Sequence, residues 1–245
     1  MTIRQPPGGA ARPHNDLLRG LSETDYAHIS PHLEIVSLAA GDVLYNPGDD
    51  VNTVYFPCGG SAICFVVAIE DGHEVDVALI GREGAAGGIV SHGRLPAFSR
   101  IEVRLEGSFA RLPVSRIQAA KDKSSTFTNA FARYSDCLLA QILQSSACNA
   151  AHSIEQRTAK WILAAMDRTG GQTIPFSHAQ LAAMLGVGRS YATRIIREFS
   201  AKRILRTGRM ELHVLDRSAL RSKSCNCDEA VKSHFMDVLR GVYPP

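Results

Sequence analysis

Residues 177–205, SHAQLAAMLGVGRSYATRIIREFSAKRIL, constrain this chain more than any other stretch. Leu181 and Leu185 recur at helical spacing, and Gly186 then interrupts the pattern. Val187 plugs the turn, while Ile195, Ile196 and Phe199 seat a second helix on the same core. The second helix also carries Arg189, Arg194 and Arg197. A short helix, a glycine turn and a second helix with arginines near its start form a device for the DNA major groove. Past Leu205, residues 206–215 read as two short strands around Gly208, a wing beside the helix pair.

The charge distribution agrees with that reading. Residues 154–222 hold 12 Lys/Arg against 5 Asp/Glu, a net +7, whereas the remainder holds 15 against 19, a net −4. A basic C-terminal part beside an acidic remainder suits a chain whose C-terminal part meets phosphates. Its 245 residues leave room for two modest domains. No apolar run approaches the ~20 residues that cross a bilayer, and the N-terminus lacks the apolar centre of a signal peptide. The expected location is therefore cytoplasmic, with no membrane partner.

Upstream, residues 1–14 are rich in Pro, Gly and Ala and are expected to be disordered. A short amphipathic helical pattern follows over about 16–30. Strand-like windows then succeed one another at 33–38, 42–45, 53–57, 62–70, 74–80, 100–106 and 107–113, separated by glycine turns. Asp71-Gly72 is a strong hairpin signal. Many short strands at this spacing mean an antiparallel sandwich or barrel. From about residue 113 the pattern is helical almost to residue 169, with Phe127, Phe131, Tyr134, Leu138 and Ile142 stepping by three or four before Ser145 and other small residues. So long an apolar stripe calls for a parallel copy of itself, and these six residues are the expected dimerisation face.

A β-rich domain, a long dimerising helix and a winged helix-turn-helix, in that order, resemble the Crp/Fnr family of bacterial transcription regulators over roughly residues 16–222. The motifs that carry the resemblance are AGDVLYNPGD at 40–49, YFPCG at 55–59 and LAAMLGVGR at 181–189. ACNAAHSIEQR at 147–157, WIL at 161–163 with Asp167-Arg168, and a late Cys-x-Cys look closest to a branch without the usual cyclic-nucleotide cassette. The fold implied is α+β: an N-terminal double-stranded β-helix (a cyclic-nucleotide-binding-like β-roll), a long dimerisation helix and a C-terminal winged helix-turn-helix. The boundaries are a disordered 1–15, a β-roll at 16–122, the dimerisation helix at 123–153, the DNA-binding domain at 154–222 and a tail helix at 223–245.

The resemblance implies a homodimer on a near-palindromic operator, with double-stranded DNA and a second copy of the chain as partners. RNA polymerase is a further partner if the bound protein activates. Ser177 caps the first helix and meets a phosphate. Arg189 and Arg194 match base-reading positions, and Ser190 stands where many members place a Glu. Tyr191 and Arg197 fall on the DNA backbone, with Lys202, Arg206 and Arg209 adding charge beside the wing. Cyclic AMP is not the expected effector, because the Glu and Arg positions of the nucleotide cassette fall on Gly88 and near Ala97. What remains is an unidentified small molecule or none, with Arg82, Glu83, Gly87, Gly88, Ser99 and Arg100 as the candidate pocket. An iron–sulfur cluster of the usual kind is excluded, since no cysteine precedes Cys58.

Two other function classes fit the sequence less well. An enzyme is disfavoured by the absence of Gly-x-Ser-x-Gly, His-Glu-x-x-His and P-loop motifs. Asp71, Glu74 and Asp76 read as a solvated hairpin face. A nucleotide-sensing module that ignores DNA is disfavoured by the basic C-terminal part. No cofactor is expected. Cys148 and His152 lie four apart on one helix face and could ligate a metal, though packing at a dimer interface is the commoner use of such a pair, and Cys225 and Cys227 with His234 define no geometry. No metal site is therefore assigned.

Overall fold

A computed structural model describes residues 12–70, 72–91 and 93–242. Residues 1–11 of the expected disordered terminus, and Asp71 of the expected hairpin turn, lie outside the described residues. The chain divides into two compact units: Met1–Phe65, Leu79–Ala140 and Ser233–Pro245 form one, and Val66–Ala78 with Gln141–Lys232 form the other.

The first unit opens with α1 (Asp16–Arg19), α2 (Glu23–Ile29) and a 3-10 turn at Ser30–His32. Strands follow in the expected windows, with residues 66–78 of the fourth and fifth belonging to the second unit: β1 (Glu34–Leu38), β2 (Val43–Tyr45), β3 (Thr53–Pro57), β4 (Ala62–Ala68), β5 (Glu74–Ile80), β6 (Arg100–Leu105) and β7 (Gly107–Pro113). They make two sheets, ordered β1-β7-β3 and β2-β6-β4-β5. In the first sheet β7 runs antiparallel to both neighbours, and Glu34, directly opposite Arg111, accepts from its guanidinium at 2.9 Å. Residues 12–15 are not loose, as expected for them, but tied down. Arg12 donates to the Leu21 carbonyl and stacks on Tyr26, and the fully buried Asn15 side chain donates to the carbonyls of Pro57 and Gly84. Asp76 also departs from expectation: it is buried, whereas Glu74 is exposed.

After α3 (Val114–Lys121) comes α4 (Ser125–Ala151), the long helix. Its first turns are a core element of the sheet unit. Phe127, Phe131 and Tyr134 are fully buried; Phe131 meets Phe56 edge-on with ring centres 6.4 Å apart. The assignment of these three to a dimer face is thus corrected: they are covered within one chain, Phe131 by Phe56 and Tyr134 by Ala85 and Phe235. The apolar stripe left uncovered lies further along, at Leu139, Ile142 and Leu143, with Leu138 and Ser145 half-buried beside it.

The second unit continues with α5 (Ile154–Thr169), β8 (Thr173–Ile174), α6 (His178–Leu185), α7 (Arg189–Ala201), β9 (Leu205–Thr207), β10 (Leu212–Val214) and α8 (Arg217–Lys223). α9 (Cys227–Arg240) begins here, and its last part packs in the first unit, where Phe235 meets Tyr134 and the Val238 carbonyl accepts from Arg133. α5 starts with a reciprocal cap: Ser153 Oγ accepts from Gln156 N and Gln156 Oε1 accepts from Ser153 N. The three short strands form one sheet, β8-β10-β9, beside the helix pair. No helix among the described residues is long and apolar enough to cross a membrane.

Candidate nucleic-acid interface

The helix pair is built by its caps. Ser177 and Gln180 exchange side-chain-to-backbone hydrogen bonds at the start of α6, and Gly186 ends it with φ 64°, a conformation an L side chain resists. Gly188 then caps α7, so the second helix begins at Arg189, as the sequence implies. Ala192, Ile195, Ile196 and Phe199 bury one face of α7. Arg157, itself buried, donates to the Leu185 carbonyl at 2.7 Å, holding the last turn of α6.

The opposite face of α7 presents Arg189, Ser190, Tyr191, Arg194 and Arg197 to solvent. Arg194 is not a free-swinging cation: its guanidinium carbon stands 4.3 Å from the centre of the Tyr191 ring. Stacking of this kind restricts the guanidinium without using its N–H donors, which remain free for a base edge or phosphate. Arg206 and Arg209 are exposed on β9 and at the turn before β10, where Met210 takes φ 64°. Lys202, also exposed, has a carboxylate neighbour, since Glu155 lies 3.8 Å away and also faces Lys223. Contact with a DNA phosphate would therefore compete with this carboxylate for Lys202.

His178 and Thr193 were not singled out by sequence reasoning. Nδ1 of His178 lies 3.1 Å from Thr193 Oγ1, linking the start of α6 to the middle of α7. Burial, then the positive charges of Arg189 and Arg197, hold its pKa below the usual histidine value. The signal in sequence was only its place next to the capping serine. Ser177 spends its acceptor on the helix cap, leaving its proton to donate.

The candidate effector residues each have partners within the first unit. Arg82 pairs with Asp16 at 3.3 Å, and Glu83 accepts from Gly81 N at 3.0 Å. Arg100 pairs with Glu102, which also holds the buried Arg104 at 2.9 Å. Ser99 is buried and Gly88 backs onto Val114. A Cβ at Gly84 would overlap the Tyr134 hydroxyl, and one at Gly87 would overlap the Thr53 carbonyl. These glycines permit close packing of the loop on β3 and α4.

Elsewhere in the second unit the fold brings together residues that the sequence kept apart. Cys148 and His152 from the end of α4 meet Cys225 and Cys227 from the α8–α9 joint, while His234 is exposed and takes no part. Burial and the adjacent Cys148 and Cys225 thiols push Cys227 up to about 12.

Residues 156–223 match the Crp-like helix-turn-helix domain family. The second unit therefore carries a Crp-like helix-turn-helix domain. No curated protein sequence matches it. Among solved structures, it shares its fold with FixK2 from Bradyrhizobium japonicum (16% identity, covering 79% of this chain and 98% of that one, TM-score 0.65). A CRP-family regulator from Thermus thermophilus is similar as well (16% identity, 77% and 95% covered, TM-score 0.65). So is the c-di-GMP-responsive global regulator CLP from Xanthomonas campestris (14% identity, 79% and 99% covered, TM-score 0.64).

Proposed function

We propose that this chain is a Crp/Fnr-type transcription regulator that acts as a homodimer, reads a near-palindromic operator, and has that binding modulated through its N-terminal sheet domain. The observation that carries the reading is the exposed face of α7, an arginine-rich stripe on a Crp-like helix-turn-helix. Arg189 and Arg194 read base edges, each fork fitting guanine O6 and N7, and Ser190 adds a short, less discriminating contact. Tyr191, Arg197, Arg206, Arg209 and, once released from Glu155, Lys202 meet the DNA backbone, with the Ser177 hydroxyl donating to a phosphate. Dimerisation runs along the exposed Leu139, Ile142 and Leu143 stripe of α4, with the two copies of α7 about one DNA turn, ~34 Å, apart. The capped joint at Ser153 is the hinge through which the N-terminal domain acts. A cytoplasmic location follows from that role.

The paired state of Arg82, Glu83 and Arg100, together with the packing role of Gly84 and Gly87, favours one second reading: DNA binding that needs no small molecule. Selection from random duplex by the purified, ligand-free protein tests both. An enriched near-palindrome means a regulator active without effector. A folded dimer that enriches nothing means that a signal must arrive first, and a monomer on DNA refutes the dimeric reading. Binding must also weaken steeply with salt, because phosphate contacts release counterions.

A further inference from the structure

We propose that Cys148, His152, Cys225 and Cys227 form a Cys3His site for a thiophilic divalent cation, zinc by its ligand set. The four ligand atoms lie within 4.8 Å of one another, three of the residues buried and His152 half-buried. The separations decide what such a cluster can hold. Cys148 Sγ lies 3.7 Å from Cys225 Sγ, and Cys227 Sγ lies 3.5 Å from His152 Nδ1. A regular tetrahedron with Zn–S of about 2.3 Å and Zn–N of about 2.0–2.1 Å spaces its sulfurs about 3.8 Å apart and sulfur from nitrogen about 3.6 Å apart. Both observed separations fall within 0.2 Å of those values. A disulfide would need the sulfurs at about 2.05 Å, so Cys148 and Cys225 would have to close far beyond their present approach.

The surroundings supply charge as well as shape. Lys160, almost wholly buried on α5, points Nζ at Cys148 Sγ, 3.3 Å away. A buried ammonium beside a neutral thiol would be poorly compensated, whereas beside a metal-bound thiolate it has a partner. Three thiolates around one dication leave a single negative charge, which Lys160 cancels. Arg157 stands on the same helix and is also buried, adding positive potential where thiolates would gather. Outer groups of this kind orient and tune metal ligands.

The position along the chain gives the site its consequence. Two ligands directly precede the helix-turn-helix domain at 156–223 and two directly follow it. One ion would therefore clasp the two ends of that domain to each other, at the joint where α4 gives way to α5. Binding free energy of such a site is folding free energy for the residues it joins.

The test uses the full chain purified under reducing, metal-replete conditions. Metal analysis is expected to find about one zinc per chain, and Co2+ replacing it is expected to give the strong visible bands and sulfur-to-cobalt charge transfer of a tetrahedral thiolate site. The double variant C225S/C227S is expected to lose the metal while keeping a dimer on sizing. Should it fail to fold, the cobalt spectrum of the unaltered chain still decides. Chain that binds neither ion stoichiometrically when reduced overturns the proposal. So does metal that survives in C225S/C227S, or iron with inorganic sulfide on these residues. A metal-free chain with Cys148 and Cys225 joined as a disulfide would instead mark a redox pair and overturn it too.

Discussion

Replacing Tyr134 by Phe keeps the ring and deletes a single oxygen atom. That oxygen accepts from Ala85 N at 2.9 Å and donates to Ala85 O at 2.8 Å. Both residues are wholly buried, so water cannot take over either bond without entering the core. An orphaned buried polar group costs about 1–3 kcal/mol. With two groups orphaned and part of the loss recovered by a small backbone shift, Y134F should destabilise the sheet unit by about 2–4 kcal/mol. The ring contacts with Phe235 are untouched, so no cavity term adds to this. Trp161, the chain's one tryptophan, belongs to the second unit, and its fluorescence is the wrong probe. Hydrogen exchange of peptides spanning Ala85 and urea unfolding followed by circular dichroism are the right ones. Unchanged Ala85 exchange with a loss below about 0.5 kcal/mol would refute the reasoning. Weakened dimerisation without lost stability would return Tyr134 to a partner-facing position.

Further outcomes concern the recognition surface and the long helix. Arg189→Ala should cost about 1–3 kcal/mol of operator affinity and relax the preference at one base pair, whereas Arg197→Ala should weaken all duplexes alike and lower the salt slope by about 1; competition binding across a salt series separates the two. His178, held below the ordinary histidine value by burial and then by Arg189 and Arg197, contributes stability that is complete above the unfolded-state value near 6.5. That contribution is lost as pH falls through its lower folded value, so His178→Gln should flatten the acid side of the stability profile; an unaltered profile would show that His178 does not titrate there. Leu143→Glu places a charge on the most exposed residue of the α4 stripe and should shift sizing and ultracentrifugation toward monomer, with little change in the unfolding of either unit.

Several elements were readable because they are local. Strands β3, β5 and β7 begin and end at the residues where their alternation does, since period-two patterns between glycine turns need no distant partner to be recognised. The helix pair was readable for the same reason: Ser177, Gly186 and Gly188 cap their helices through bonds reaching only a few residues. The exposed arginines of α7 follow from the same periodicity. Lys202 was a miss of a particular kind, because nothing near it in sequence announces Glu155 as a neighbour.

The sequence by itself determined the order of elements, their caps, and which residues of each helix share a face. It could not say what covers that face. Helical spacing groups Phe127, Phe131 and Tyr134 with Leu138 and Ile142, yet the fold buries the first three and leaves Ile142 exposed. Periodicity reports that a stripe is apolar, and only packing reports its neighbour. The same division separates Cys148 from Cys225, 77 residues apart along the chain and 3.7 Å apart in space. Neither pair alone completes a metal site, although Cys148 and His152 share one helix face. Packing of α8 against α5 brings the two ends of the helix-turn-helix domain together, a contact between segments far apart in sequence.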